Sequence, residues 1–471
     1  MGSRPRAVSI HILDDDSLLH VFHLYRPFIL GEDQDHLARL NGGRGLWVRG
    51  RWWYRLAHVC QRWRYTLLGS ASYLGISLVC TYGTPLADML AHSPPLPLVI
   101  DYYSVKNRDI TAEDEERLIL ALENRDRVSR VRLETKLQKL IVIDEEYPIL
   151  EYLIVVPPKD NNAILIFPEA FQAPRLRHLR LGGFSLPIAS RLLTSAVGLV
   201  TLDLIMDQPS TYFHPNTLIQ WISFMPQLET LVIVFSRPVH RRDVERQLMR
   251  TLTITPITLP NLHYFRFNGV STYSEALVRR IIAPRLEKLE ILFFSQLTFF
   301  VPRLQQLVNT TENLNFDSVG FRFFNRRVAV ALYLREVEMV AIGVNCPHLD
   351  WQVSSMAQIS NSLSPMFSAA EHLTLRHEAH RWSSEEHNQV DRTEWRKLLR
   401  PFRNVMTLQI VGGLVDGLSR CLQLEDGEFP SELLPELQEL SFPGDASNGD
   451  AFTSFIDARQ NAGHAVTLTR W

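Results

Sequence analysis

From Val128 onward one spacing keeps returning: an apolar residue, two variable residues, a second apolar residue, one variable residue and a third apolar residue. It occurs at Val128/Val131/Leu133, Leu150/Leu153/Val155, Leu176/Leu179/Leu181, Leu199/Leu202/Leu204, Leu228/Leu231/Ile233 and Leu262/Phe265/Phe267. It continues at Leu286/Leu289/Ile291, Phe316/Val319/Phe321, Ala370/Leu373/Leu375, Val405/Leu408/Ile410 and Leu437/Leu440/Phe442. Apolar residues two apart point to one face of a short strand, and the residue between them faces the other way. Six registers have a proline two places before their first member, at Pro148, Pro174, Pro226, Pro260, Pro284 and Pro435. Proline there ends a preceding helix and admits an extended strand.

The steps between first members are 22, 26, 23, 29, 34, 24, 30, 54, 35 and 32 residues, which bracket the period of leucine-rich repeats with irregular insertions. The 54-residue step has room for one degenerate unit. Helical texture lies between the strands at 188–194, 217–224, 274–283, 301–308 and 393–402. Strand, loop and helix in repetition predict an α/β fold, an irregular leucine-rich-repeat-like solenoid over 128–471 with inner parallel strands and outer helices. The Asn that follows the motif in regular repeats is absent, so the repeat geometry is expected to be irregular. The middle residues of the strands, Arg180, Asp203, Val232, Arg266, Glu290, Gly320, Thr374, Gln409 and Ser441, would line the concave wall. Their mixed charge suits a protein ligand.

Ahead of the repeats the texture changes. Leu18, Val21, Phe22 and Tyr25 fall at helical spacing, with Asp16 or Ser17 placed to cap the first turn. Residues 31–50, centred on Asn41-Gly42-Gly43-Arg44-Gly45, form a loop-like insertion. A second helix is expected from Trp52, because Leu56, Val59, Cys60, Trp63 and Leu67 recur at intervals of three and four. Residues 1–75 are thus a small helical module, and 76–127 a transition that caps the repeats. Within it Leu98-Val99-Ile100 reads as the first strand of the large domain, and 111–124 as a helix with Glu113, Asp114, Glu115 and Glu116 in its first turn.

The chain has 471 residues, 49 Lys plus Arg and 51 Asp plus Glu, so its net charge of -2 exerts no overall pull toward nucleic acid or an anionic membrane. Cys60, Cys80, Cys346 and Cys421 follow no metal-binding spacing and suit buried thiols in a reducing compartment. No run approaches the ~20 apolar residues of a membrane span. The N-terminus leads into Asp14, Asp15 and Asp16, with no apolar signal core. A cytoplasmic or nuclear protein without membrane partners is expected.

Arg44, Arg49, Arg51, Arg55, Arg62 and Arg64 interleave with Trp47, Trp52, Trp53, Tyr54, Trp63 and Tyr65, the residue types that bind single-stranded nucleic acid. Trp52 and Trp63 are also placed to pack a helix face, and packing is the preferred reading. His372, His377, His380 and His387 with Glu378, Glu385 and Glu386 are the densest group of potential metal ligands. The His377–His380 spacing of three differs from the four of a zinc-protease helix, and a solvated loop fits better. Neither a nucleophile elbow nor a phosphate loop occurs, so an enzyme, a metal or a cofactor is not expected.

The stretch Ile12-Leu13-Asp14-Asp15-Asp16-Ser17-Leu18-Leu19-His20-Val21-Phe22, followed by Trp52-Trp53-Tyr54-Arg55-Leu56-Ala57-His58-Val59-Cys60-Gln61-Arg62-Trp63-Arg64, resembles the F-box of F-box proteins from mushroom-forming fungi. Asp14 stands where that box usually has proline. The resemblance continues through Ser77-Leu78-Val79-Cys80 and Pro94-Pro95-Leu96-Pro97-Leu98. It implies the substrate-recognition adaptor of an SCF-type ubiquitin ligase, docked on a Skp-type adaptor and its cullin complex while the repeats hold a target protein. Leu13, Leu18, Leu19, Phe22, Val59 and Trp63 would lie in or under the docking strip. A repeat scaffold without ligase function is the alternative, and a nucleic-acid binder ranks third.

Overall fold

The computed structural model describes residues 12–26, 52–103, 111–134, 145–156, 165–187, 190–206, 212–237, 255–378, 390–425, 427–444 and 450–470. The fold is mixed α/β with a large, mostly parallel sheet. The chain divides into two compact units, Met1–Leu181 with Ala189–Ala196, and Gly182–Ile188 with Val197–Trp471. Among the described residues no helix is long and apolar enough to cross a membrane.

Among the described residues unit 1 opens with the helices α1 (Asp15–Tyr25), α2 (Trp52–Ala57), α3 (Gln61–Gly69) and α4 (Ala71–Leu74). Asp14 caps α1 by accepting the Ser17 N–H at 2.7 Å, so the cap lies earlier than either residue the sequence offered. Asp15 and Asp16 occupy the first turn, where the helix dipole favours them. The expected single helix from Trp52 is two helices. Cys60 is extended (φ -159°, ψ 169°), and the Arg64 guanidinium Nε donates to Ala57 O at 3.0 Å, satisfying the end of α2. The three-and-four spacing therefore does not mark one face: Trp63 and Leu67 are buried, whereas Val59 is 56% exposed.

Strands β1 (Leu78–Cys80), β2 (Leu98–Tyr102), β3 (Val128–Glu134), β4 (Tyr152–Val156) and β5 (His178–Gly182) follow, interspersed with α5 (Leu86–His92), α6 (Ala112–Glu123) and, after β5, α7 (Arg191–Ser195). Successive strands pair in parallel from β1 to β5. The strand at Leu98 is thus second, because Leu78-Val79-Cys80 pairs with it residue for residue.

Unit 2 contains β6 (Thr201–Met206), α8 (Pro215–Ile222), β7 (Thr230–Phe235), β8 (Tyr264–Gly269), α9 (Ser271–Val278), β9 (Lys288–Phe294) and α10 (Pro302–Thr310). Then come β10 (Ser318–Phe324), β11 (Arg327–Leu334), β12 (Val337–Asn345), α11 (Leu349–Ser362), α12 (Ser364–Phe367), β13 (His372–His377) and α13 (Arg392–Leu399). The unit ends with β14 (Thr407–Val411), α14 (Val415–Leu422), β15 (Glu439–Phe442), α15 (Thr453–Asn461) and β16 (Thr467–Arg470). The strand order is β6-β7-β8-β9-β12-β11-β10-β13-β14-β15-β16. The 54-residue step is explained here. Instead of one weak repeat, it contains a meander in which β11 runs antiparallel between β10 and β12, followed by the 14-residue α11. The Arg335-Glu336 turn that joins β11 to β12 holds both residues at positive φ, 50° and 70°, the requirement of a two-residue hairpin.

All eleven registers fall on strands. In ten of them the first member sits two residues before the strand begins; Val128 starts its own. The prolines have a more local role than ending a helix. In all six cases the first register member donates its N–H to the carbonyl of the residue before proline: Leu150 to Tyr147, Leu176 to Ala173, Leu228 to Met225, Leu262 to Leu259, Leu286 to Ala283 and Leu437 to Leu434. Proline is thus the second residue of a β-turn, where its fixed φ is pre-set. A second backbone device spaces the strands. The carbonyl just before a strand, as in Glu229, His263, Glu371 and Met406, accepts two successive N–H groups from the start of the next strand in the register.

The inner row of unit 2 runs in register through Leu202, Leu231, Phe265, Leu289, Val340, Leu332, Val319, Leu373, Leu408 and Leu440. Each is between 0% and 1% exposed, and burial of each is worth ~1.5–3 kcal/mol. The helices pack in sequence on one another, α9 with α10, α11 with α13, and α13 with α14. Glu275 of α9 accepts the Arg303 and Leu304 N–H groups at 2.8 and 3.0 Å, so one helix caps the start of the next.

Candidate docking surfaces

Helix α1 packs on α3 through Leu18 and Phe22, one turn apart and both fully buried. The Phe22 ring meets Trp63 edge-on at 5.0 Å, and Trp53 anchors the module by donating Nε1–H to Ser77 O at 3.2 Å. Arg62 donates to both Leu13 O (2.6 Å) and Asp15 Oδ1 (2.8 and 2.9 Å), fastening the start of α1 to α3. Asp14 is held below the usual carboxylate range, chiefly by the Ser17 backbone hydrogen bond.

Of the six residues expected in or under a docking strip, Leu18, Phe22 and Trp63 lie beneath the surface, Leu13 and Leu19 are half-buried, and Val59 is exposed. The exposed apolar side chains include Val21, Leu24 and Tyr25 on α1, together with Ile12, Tyr65 and Tyr73. Val21, Leu24 and Tyr25 stand at i, i+3 and i+4, one stripe of the helix. Their spacing was visible in the sequence for Val21 and Tyr25; Leu24 was missed because it breaks the inward pattern set by Leu18 and Phe22.

The nine middle residues lie where their spacing put them on the sheet. In unit 1, Arg180 lies in a row with Ile154, Arg132 and Asp101. In unit 2 one continuous row runs Asp203, Val232, Arg266, Glu290, Ala341, Ala331, Gly320, Thr374, Gln409, Ser441 and Thr469. Accessibility separates them. Gln409 is exposed, while Arg180, Val232, Arg266, Glu290, Thr374 and Ser441 are half-buried. Asp203 is only 5% exposed and does not present its carboxylate to solvent; Val232 stands beside it in register. Gly320 is covered by the ring of Tyr333, which a Cβ at that position would meet at 3.1 Å.

Two charge clusters occupy this face. Glu290 receives Lys288 Nζ at 2.9 Å and the Tyr264 hydroxyl at 3.0 Å, with Arg266 Nε at 3.7 Å. Burial works to raise the Glu290 carboxyl, but the Lys288 hydrogen bond and charge, with Tyr264 and Arg266, hold it below its ordinary range. Burial, then the Glu290 charge, pushes the Tyr264 phenol well above its ordinary value, so it remains a neutral donor. In the second cluster Arg322 pairs with Glu338 at 2.6 Å, and burial raises the neighbouring Tyr333 phenol. Lys288, Tyr264 and Arg322 were within reach of the sequence, two residues from a predicted middle position. Tyr333 and Glu338 were not, since β11 and β12 lie outside the repeated spacing.

Among the described residues, part of the arginine and tryptophan segment is committed to the module itself. Trp53 and Trp63 are buried, Arg62 and Arg64 hold backbone carbonyls, and Arg55 is exposed. Arg44, Trp47, Arg49 and Arg51 lie outside the described residues, as does the 31–50 insertion. Of the histidine group, His372 Nδ1 is 2.6 Å from the Thr407 hydroxyl, and His380, Glu385, Glu386 and His387 lie outside the described residues. No group of three potential metal ligands occurs among the described residues. Cys80, Cys346 and Cys421 are buried free thiols and Cys60 is half-buried. No protein-family model matches the chain, and no curated protein is significantly similar to it.

Proposed function

We propose that this chain is the substrate-recognition adaptor of an SCF-type ubiquitin ligase, in which the helical module docks on a Skp-type adaptor and the face bearing Arg266, Glu290, Thr374 and Gln409 holds a target protein. In this reading the strand-and-helix succession is an irregular leucine-rich-repeat-like solenoid, and ubiquitin transfer is performed by the other subunits of the complex. One observation carries the proposal: the module closes a core around Phe22 and Trp63 yet leaves Val21, Leu24, Tyr25 and Val59 in solvent. An apolar helix stripe beside a finished core is what a partner helix covers.

Co-purification of the full chain with a Skp-type adaptor tests it. Leu24 and Val59 are 71% and 56% exposed, so Leu24→Asp with Val59→Asp leaves the core intact and should abolish co-purification while far-UV circular dichroism stays unchanged. Failure of the unaltered chain to retain the adaptor, or equal retention by the double variant, refutes the proposal. Trp63 is unsuitable for this purpose, because an aspartate there would unfold the module it helps to build.

A further inference from the structure

Of the 49 basic residues, 43 are arginine and 6 are lysine, although lysine is among the commonest residues of soluble domains. The lysines are Lys106, Lys136, Lys139, Lys159, Lys288 and Lys397, and the first four lie outside the described residues. Both described lysines are bound to carboxylates: Lys288 Nζ to Glu290 at 2.9 Å and Lys397 Nζ to Glu394 at 2.7 Å. Meanwhile exposed positions that would tolerate either cation have arginine, as at Arg175, Arg279, Arg326 and Arg403. The distinction between the two cations is chemical. A lysine amine loses its proton and becomes a nucleophile, whereas a guanidinium stays protonated and does not.

We infer that the described surface has been cleared of acceptor amines, which limits modification of the chain when it works beside a ubiquitin-charged conjugating enzyme. This rests on the adaptor function proposed above. In the reaction avoided, a neutral lysine Nζ attacks the thioester carbonyl that joins ubiquitin to the conjugating enzyme. The C–N isopeptide bond forms, the C–S bond breaks, and the proton from the amine leaves with the released thiol. Arginine preserves charge and solubility at each position while offering no group for the first step. The two remaining amines in described regions are restrained: the Glu394 hydrogen bond and charge raise Lys397 above its ordinary range, and Lys288 is bonded to Glu290.

The test uses the full chain assembled with a Skp-type adaptor, a cullin complex and a charged conjugating enzyme, with assembly verified by size exclusion before ATP is added. Arg279→Lys, Arg326→Lys and Arg403→Lys are combined in one variant. These are exposed substitutions, which should leave the urea unfolding midpoint unchanged. The expected result is slow self-modification of the unaltered chain and a several-fold faster loss of the unmodified triple variant, with ubiquitin mapped by mass spectrometry to the introduced lysines. Equal rates in assembled complexes overturn this inference alone. Absence of an assembled complex overturns it together with the adaptor reading.

Discussion

Arg459 ties α15 to the loop and turn that precede β15. It is 0% exposed, and its guanidinium donates to four backbone carbonyls, those of Pro430, Leu434, Pro435 and Leu437, at 3.2, 3.2, 2.9 and 3.2 Å. Burial lowers its pKa from the ordinary arginine value, as expected for a cation taken out of water. The four carbonyls belong to the loop and turn that deliver β15; Leu434 O also accepts the Leu437 N–H within that turn, and the guanidinium from α15 reaches all four. Arg459→Met retains most of the volume and removes all four bonds. At ~1.5 kcal/mol for each bond to a charged donor the gross loss is about 6 kcal/mol. Relief of the buried charge returns several kcal/mol, which leaves a net destabilisation of roughly 2–4 kcal/mol. Arg459→Lys keeps the charge but gathers its donors on one nitrogen, and should lie between the two. Urea unfolding gives the magnitude, and amide exchange at Leu440 and Phe442 locates it in β15. A Met variant within about 0.5 kcal/mol of the unaltered protein, or a Lys variant weaker than the Met variant, would show that the carbonyl cradle is satisfied without the guanidinium.

Glu428 accepts from Arg392 at 2.6 and 3.1 Å and from Arg396 at 3.3 Å, and the Arg392 hydrogen bond is the main reason its carboxyl falls from 4.5 to about 2. A depressed carboxylate stabilises the fold above its unfolded pKa, here 4.5, and that contribution is lost as pH falls toward 2. With the partners partly exposed, about 1 kcal/mol should separate Glu428→Gln from the unaltered protein at pH 7 and vanish near pH 2, measured by urea midpoints. At the β11–β12 turn, Arg335→Asn with Glu336→Gly places residues suited to positive φ and should stabilise by about 1 kcal/mol in thermal unfolding; no gain would mean that the turn is unstrained. Burial raises Cys346 and Cys421 to about 12, and Cys80 is also buried. In the native protein at pH 8, an alkylating reagent should therefore label Cys60 first, with the other three following only on unfolding; rapid labelling of Cys421 contradicts its burial on the inward face of α14.

Much of the sheet was legible because its signal is local and repeated. Leu176, Leu179 and Leu181 state a strand, its face and the turn before it within six residues, and Pro174 marks that turn. Where the structure departs from the spacing, the cause is a contact distant in sequence. The Arg64 guanidinium that closes α2 on Ala57 splits what periodicity made one helix. The meander of β10, β11 and β12 replaces a missing repeat with an antiparallel pairing that no single-strand pattern announces. Asp14 looked like a departure from the F-box pattern, and the fold uses it as the cap of α1.

The candidate docking surface was less legible for a physical reason that the helical module shows directly. Spacing reveals residues that agree with a buried face, so Leu18, Phe22 and Trp63 stood out as a motif, and they are the core. A binding stripe consists of apolar residues that the module's own packing does not need. Leu24 falls outside the spacing that marks α1, Val59 falls within the spacing of the expected second helix, and only their exposure distinguishes them from core residues of the same type. The same logic separates the sheet faces. Leu289 and Ile291 are fixed by the inner row, whereas Glu290 between them acquires its meaning from Lys288 and Tyr264. Lys288 is two positions along the same strand, but Tyr264 is on the neighbouring one. Its contribution follows from strand register, which the repeated spacing specifies only after the strands have been laid side by side.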